Sequence, residues 1–257
     1  MDHVDDFLLP NLDVTKSQYH LIVLNSPCVA SDLIRRLWRN CIIKICADGG
    51  ANRLFSALSD QEKDQFIPNF ITGDLDSLQS HVRDYYSSLN VPIIQDPDQD
   101  SHDLDKSLKL LKESISSDQV AMTSKVVVIG GTGGRIDQQI AVFNTLYSWS
   151  NSFQKILIVD DESIAYLLQS NVEHKISPIR QEDIYQGRYC GLLPLGNPVR
   201  SIRTTGLVWN LNNEPLEFGK RISTSNSIAN SDNNEVDSTF VTIYSTDPIL
   251  WTTTWKI

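Results

Sequence analysis

Asp74 and Asp76 stand one residue apart in Gly73-Asp74-Leu75-Asp76-Ser77, directly after the apolar run 69–72. Two carboxylates so spaced at a strand's end suit a hard divalent cation, which takes oxygen ligands and is often held by one or two carboxylates plus substrate phosphates. Gly, Asp and Ser also favour turns, so the segment taken alone reads first as a turn, and the segments that follow shift the balance toward a metal site. Three further segments carry related chemistry. Cys46-Ala47-Asp48-Gly49-Gly50-Ala51-Asn52 joins an apolar run to a helical one through two glycines. It offers backbone N–H groups and a positive helix end to an anion, or else a tight turn capped by Asp48. The stretch from Pro97 to Lys106 crowds Asp98, Asp100, Asp103 and Asp105 at the start of a helical pattern. Asp100 as N-cap with Asp103 three residues later accounts for part of this crowding, and first-turn acids suit the macrodipole. The remaining carboxylates repel one another unless they share a cation. Last, Gly130-Gly131-Thr132-Gly133-Gly134-Arg135-Ile136-Asp137-Gln138 follows a buried strand. Its glycines admit close backbone approach and the arginine's planar fork fits phosphate oxygens, although the loop matches neither the Walker nor the dinucleotide pattern.

The elements that must position these groups follow from periodicity. Short apolar runs at 20–25, 42–47, 69–72, 92–95, 125–129 and 155–159 read as strands. Helical patterns at 31–40, 51–58, 81–89 and 138–149 alternate with them, and the clearest begins near Ser101, where Leu104, Leu108, Leu111 and Ile115 form one stripe. This alternation predicts a Rossmann-like α/β domain with a parallel sheet, which places all four chemical segments at the sheet's carboxyl edge, where ligands bind in open α/β folds. From about residue 185 helical periodicity fades. Segments 189–195, 199–203, 207–211, 216–223 and 239–244 read as strands of an all-β sandwich punctuated by Gly206, Gly219, Pro198 and Pro215. The expected organisation is an α/β domain over 1–175 and a β-sandwich domain over 176–257, with Ser227–Asp237 as a disordered loop.

Composition narrows the class. A formal charge of -10 over 257 residues argues against nucleic acid, whose backbone needs a basic partner. Phosphate binding survives this charge if clustered acids recruit a cation that then holds the phosphates. The cysteines Cys28, Cys41, Cys46 and Cys190 lack paired spacing and read as reduced core residues of a cytoplasmic protein. No apolar run approaches membrane-spanning length, and the first residues show no signal-peptide pattern.

Taken together and in order, Ala-Asp-Gly-Gly-Ala-Asn (47–52), Gly-Asp-x-Asp-Ser (73–77), Asp-Gln-Asp-x-x-Asp (98–103) and Gly-Gly-x-x-Gly-Arg-x-Asp-Gln (130–138) resemble the thiamin pyrophosphokinase family. The resemblance continues through Thr204-Thr205-Gly206-Leu207-Val208-Trp209-Asn210-Leu211, Phe218-Gly219, Ser223-Thr224-Ser225-Asn226 and the segment from Pro248 to Thr252. It implies transfer of a pyrophosphoryl group from ATP to the thiamin hydroxyl, an α/β domain joined to a β-sandwich, and a homodimer with active sites between subunits. Carried onto this sequence, it implies Asp74, Asp76 and Asp103 as Mg2+ ligands with Asp48 in support, and Arg135 as a clamp on ATP phosphates. Asp137 and Gln138 would position the nucleotide or its metal, and Gly49 and Gly50 would lie against it. Gln99 would meet the thiamin pyrimidine, Ser223 and Asn226 would supply polar contacts to thiamin across the subunit boundary, and Trp209 would be an aromatic platform for a cationic ring. Trp209 also reads as a core residue, and Ser223 and Asn226 also read as turn residues. The chain departs from the family at His102 and Asp105, where hydroxyl residues are usual. A metal-dependent phosphoesterase and a nucleotide-binding regulatory module are the rival classes.

Overall fold

The alternation of buried apolar runs and amphipathic stretches appears directly in the computed structural model, which describes residues 1–4, 19–27, 31–177, 180–181, 184–229 and 240–256. The chain forms two units, Pro10–Asp161, and Met1–Leu9 with Glu162–Ile257. A first strand, β1 (Asp2–Val4), belongs to the second of these.

In the unit Pro10–Asp161, the strands are β2 (Tyr19–Val23), β3 (Cys41–Ala47), β4 (Phe70–Gly73), β5 (Ile93–Gln95), β6 (Lys125–Ile129) and β7 (Lys155–Val159). They lie parallel in the order β7-β6-β2-β3-β4-β5. β2 and β7 are buried at every residue, whereas the edge strand β5 is mostly exposed. Central parallel strands are covered on both faces and therefore need continuous rather than alternating hydrophobicity. The helices are α1 (Ser31–Trp38), α2 (Gly50–Ala57), α3 (Ser80–Ser88), α4 (Asp103–Ser114), α5 (Asp118–Ala121) and α6 (Ile136–Ser148). Along α4 the predicted stripe buries Leu104, Leu108 and Leu111, each contributing roughly 1.5–3 kcal/mol by leaving water. Ile115 lies just beyond the helix as its C-cap.

From β2 the chain adds β3, β4 and β5 in one direction, then returns to lay β6 on the opposite side of β2. The strand order therefore reverses between β2 and β6. In an open parallel sheet the loops leaving two such strands diverge to opposite faces and leave a crevice at their carboxyl ends.

The other unit holds β8 (Ser163–Leu168), β9 (Glu173–Ser177), β10 (Arg180–Gln181), β11 (Ile184–Leu193), β12 (Val199–Thr205), β13 (Asn212–Leu216), β14 (Ser223–Asn226), β15 (Val241–Ser245) and β16 (Ile249–Lys256). One five-stranded sheet runs β1-β9-β15-β12-β13, and a second set runs β10-β11-β16-β8 with β14 on β11. His3 of β1 stacks on Tyr166 of β8 at 5.3 Å between centroids, which joins the two sheets across their interior, and Trp251 is fully buried. The expected class, an α/β domain followed by a β-sandwich domain, is the class observed.

Several details differ from expectation. Ser163–Leu168 and Glu173–Ser177 pair with β16 and β15, so the break between units falls at Asp161/Glu162 and not at 175/176. Residues 207–211 form a turn instead of a strand, because Asn210 bonds Leu207 through both N–H and carbonyl. Residues 216–223 contain a turn between β13 and β14. Of the loop 227–237, Ser227 and Ala229 are hydrogen-bonded to Val208 and Gly206; residues 230–237, like Cys28, lie outside the described residues. Cys41, Cys46 and Cys190 are free and buried. Among the described residues, no helix is long and apolar enough to cross a membrane.

Candidate active site

A cleft of about 350 Å³ opens at the carboxyl edge of the parallel sheet. Its walls come from the loops after β2 (Asn25, Ser26) and β6 (Gly130–Gly134), the two strands at which the order reverses. Ser26 Oγ donates to the Thr132 carbonyl at 2.6 Å and ties these loops together.

Asp48, Asp74 and Asp76 bring carboxylate oxygens within 4.8 Å of one another. Each sits just past a strand end, so the sheet delivers them to one place. Asp48 follows β3 in the left-handed region (φ 44°), which aspartate tolerates. Leu75, between the other two, also has a positive φ of 66°, a costly conformation for a large side chain. Asp76 N–H reaches back to Asp74 Oδ1 at 3.3 Å, and Ser77 Oγ donates to Asp76 Oδ1 at 2.9 Å. The segment is thus both the turn and the acidic cluster that its composition allowed. Asn52 of α2 fixes this loop from the side: Nδ2 donates to Ser77 O at 2.7 Å, and Oδ1 accepts Gln79 N–H at 3.1 Å. Ser77 N–H donates to Asp48 Oδ2 at 3.2 Å.

Asp103, the first residue of α4, lines the same cleft without being one of the close trio. The trio includes Asp48 instead, which the family resemblance put in a supporting place. Burial, then the charges of Asp48 and Asp74, push the Asp103 carboxyl up to about 6, while Lys106 one turn along pulls it down. Asp48 is raised as well, chiefly by burial, although N–H groups of Gly49 and Ser77 favour its charged form. Asp48 is only 2% exposed, and its Oδ1 has no hydrogen-bond partner among the described residues. A buried carboxylate oxygen beside two more carboxylates is costly unless a cation neutralises it. An all-oxygen donor set of this kind fits a hard divalent ion such as Mg2+.

Gly73 makes this crowding possible. Its φ is +147°, and a Cβ there would lie 2.8 Å from Asp48 Cβ and 3.3 Å from Asp103 Oδ1. Gly50 has a structural reason of its own: a Cβ would lie 2.1 Å from the Val23 carbonyl oxygen, so only glycine lets α2 start against β2. Neither Gly49 nor Gly50 lines the cleft.

Arg135 and Gln138 at the start of α6 do line it. The Arg135 guanidinium is forked onto Asp137, with Nε 3.1 Å from Oδ1 and NH2 on Oδ2, and this pairing holds the Asp137 carboxyl below its usual range. Both side chains are exposed, so the pair contributes little stability and exchanges readily for another anion. Gln99 lies exposed on the loop before α4, outside the cleft lining, and its Nε2 donates to Pro97 O at 3.3 Å. The capping expectation at Asp100 needs correction: His102 occupies the N-cap without a side-chain cap bond, and Asp98 organises the preceding turn through Asp100 N–H and Ser101 Oγ.

Trp209, Ser223 and Asn226 belong to the β unit. Trp209 is 62% exposed, which removes the core reading. Asn226 is buried, and its amide holds the Trp209 backbone; Ser223 pairs with Leu192 at the start of β14. Sequence reasoning missed Asn25 and Ser26. Their signal was available: two polar residues that end a buried apolar run, one residue past β2.

An open parallel sheet, a cleft where its order reverses and a carboxylate cluster opposite a glycine-arginine loop together describe an α/β fold suited to handling phosphates through a cation. Comparison with known proteins is more particular. Residues 34–158 match the thiamin pyrophosphokinase catalytic domain, and residues 173–250 match the thiamin pyrophosphokinase vitamin B1 binding domain. The chain belongs to the thiamin pyrophosphokinase family. It is 34% identical to thiamine pyrophosphokinase 3 of Oryza sativa subsp. japonica, over 98% of this chain and 95% of that protein. Solved structures of thiamin pyrophosphokinase from yeast and from Candida albicans superpose with TM-scores of 0.79 and 0.77, both at 26% identity. They cover 99% and 94% of this chain, and 90% of each of those chains.

Proposed function

We propose that this chain transfers the pyrophosphoryl group of ATP to the hydroxyl of thiamin, giving thiamin diphosphate and AMP. The observation that carries the reading is the single cleft in which Asp48, Asp74, Asp76 and Asp103 face the glycine loop and Arg135. The match to both domains of the family supports it.

In this reading the thiamin oxygen bonds to the β-phosphorus, the α–β bridge breaks at that phosphorus, and AMP leaves. Transfer of this kind depends mostly on positioning and charge neutralisation. Asp74, Asp76 and Asp103, with Asp48, hold Mg2+, which when bound neutralises phosphate charge. Arg135 releases Asp137 to fork onto phosphate oxygens, Gln138 and Asp137 orient the nucleotide, and backbone N–H groups of the glycine loop add donors. Trp209 stacks on the cationic thiamin ring, while Gln99, Ser223 and Asn226 shape the thiamin site.

Incubation with Mg2+, ATP and thiamin tests the reaction. AMP formed only when thiamin is present is expected. Phosphate released without thiamin would identify a hydrolase, and absence of turnover a binding module; either overturns the proposal. A homodimer with sites between subunits belongs to the same reading, supported by the exposed apolar Val208, Trp209 and Phe218; a monomer mass in light scattering would refute it. Cytoplasmic residence is supported by the free buried thiols, and recovery of the native protein in a secreted fraction would contradict it.

A further inference from the structure

Asp105 is a half-buried carboxylate whose hydrogen bonds run to neutral donors on α6 and on its C-cap residue, Trp149. Its Oδ1 accepts the Trp149 indole N–H at 2.8 Å, and its Oδ2 lies 3.4 Å from Thr145 Oγ1. The Thr145 hydroxyl is also 3.1 Å from Ala141 O, so its one proton is shared and the indole bond is the stronger link. Thr145 is 1% exposed, and Trp149 stacks on Phe153 at 6.2 Å, so both partners are fixed by packing. No basic side chain pairs with Asp105 among the described residues.

The placement of this bridge matters. Asp103, two residues earlier on α4, lines the cleft; Gln138 and Val142 on α6 line it too. Steps of four, three and four residues from Gln138 through Val142 and Thr145 to Trp149 keep these side chains on one side of the helical path. The same side of α6 therefore faces the cleft at its start and meets Asp105 farther along. We infer that Asp105 is a positioning residue that locks α4 to α6 and so sets the separation between the carboxylate side of the cleft and its phosphate-gripping side. The inference rests on the proposed use of that cleft for magnesium-bound ATP.

A carboxylate suits this position because it is a stronger acceptor than a hydroxyl and spans two donors one helical turn apart. Groups hydrogen-bonded to metal ligands typically alter metal affinity or activity by about 10–100-fold when removed, and the lower end of that range sets the scale expected for a residue that spaces the ligands from farther back. The test is calorimetric titration of the full chain with magnesium α,β-methylene-ATP, beside melting temperatures without ligand and steady-state kinetics with thiamin. Asp105→Ala and Trp149→Phe should each weaken the analogue by about 10-fold while leaving the KM for thiamin unchanged. The double variant should be no weaker than the worse single one, because both remove the same link. Asp105→Asn keeps the acceptor for the indole and should restore affinity.

A lower melting temperature with unchanged analogue affinity in both single variants would make the bridge merely structural and overturn the inference, as would additive losses in the double variant. If Asp105→Ala does not fold, Trp149→Phe and Asp105→Asn decide the matter by the same criteria. Wild-type protein that binds no analogue sinks the ATP reading and this inference together. Wild-type binding with indifferent variants sinks the inference alone.

Discussion

Asn226 grips the backbone of Trp209 with both ends of its amide: Nδ2 donates to the Trp209 carbonyl at 2.8 Å, and Oδ1 accepts the Trp209 N–H at 3.2 Å. Oδ1 also accepts Ser227 N–H at 2.9 Å, so its acceptor capacity is spent inside the chain. Asn226→Ala should raise the KM for thiamin about 10-fold, equivalent to about 1.4 kcal/mol, by releasing the ring's support. Trp209→Ala should raise it at least as much with less loss of thermal stability, since the ring is exposed. An unchanged thiamin KM in both variants would remove Trp209 as the platform.

Asp76→Asn separates stability from activity. Removing one charge from three crowded carboxylates relieves repulsion, so the metal-free protein should melt no lower than the wild type. Turnover should nevertheless fall on the order of 100-fold or more, the scale of losing one electrostatic contact in a phosphoryl-type transfer. Near-wild-type rates would refute the metal assignment.

Gly73→Ala should damage the same cluster through the backbone. The new Cβ would collide with Asp48 Cβ, and the residue would keep a φ that side chains rarely adopt. A loss of about 1–3 kcal/mol in unfolding free energy is expected, together with loss of the melting-temperature increase produced by Mg2+. Retention of the full Mg2+ effect would show that the carboxylates do not depend on this close approach.

Protonation of Asp103 gives a signed pH dependence. Its folded value of about 6 exceeds the ordinary 3.8. Its contribution to the stability of the metal-free fold is therefore fully present below 3.8 and is lost as pH rises through about 6. Mg2+ works against the proton, so its stabilising effect should be smaller at about pH 5 than at about pH 7.5. Equal Mg2+-induced melting shifts at the two pH values would contradict this, and Asp103→Asn should shrink the difference, leaving the part that the raised Asp48 carries.

Arg135→Lys tests the fork instead of the charge. Lysine keeps the charge but loses the planar pair of donors, so kcat/KM for ATP should fall about 10-fold, with Arg135→Ala lower still. Full activity in the lysine variant would show that charge alone suffices.

Sequence reasoning reached the α/β unit because its signals are local. The fully buried β2 and β7 advertise themselves as continuous apolar runs, and α4 shows its stripe at Leu104, Leu108 and Leu111. In the β unit, Asn212–Leu216 and Ser223–Asn226 are polar strands held by pairing with β12 and β11, and no alternation marks them. Leu207–Leu211 looked like a strand because it is apolar, but Asn210 closes it into a turn. In the cleft, the acids and glycines were visible as types and spacings. What spacing could not reveal was which carboxylates converge. Asp48 joins Asp74 and Asp76 through parallel neighbours β3 and β4, a tertiary fact.

The reversal of strand order between β2 and β6 also bears on how this protein acquires its cleft. The bond from Ser26 to Thr132 spans 106 residues, so one wall of the cleft waits for a distant segment to return to the first core strand. Contacts of such range are costly in chain entropy and arrive late in folding. A nascent chain ending before β6 would carry Asp48, Asp74, Asp76 and Asp103 but lack the glycine-arginine wall. Nucleotide that binds only the completed cleft would favour that closure by mass action, making the ligand a participant in the chain's maturation.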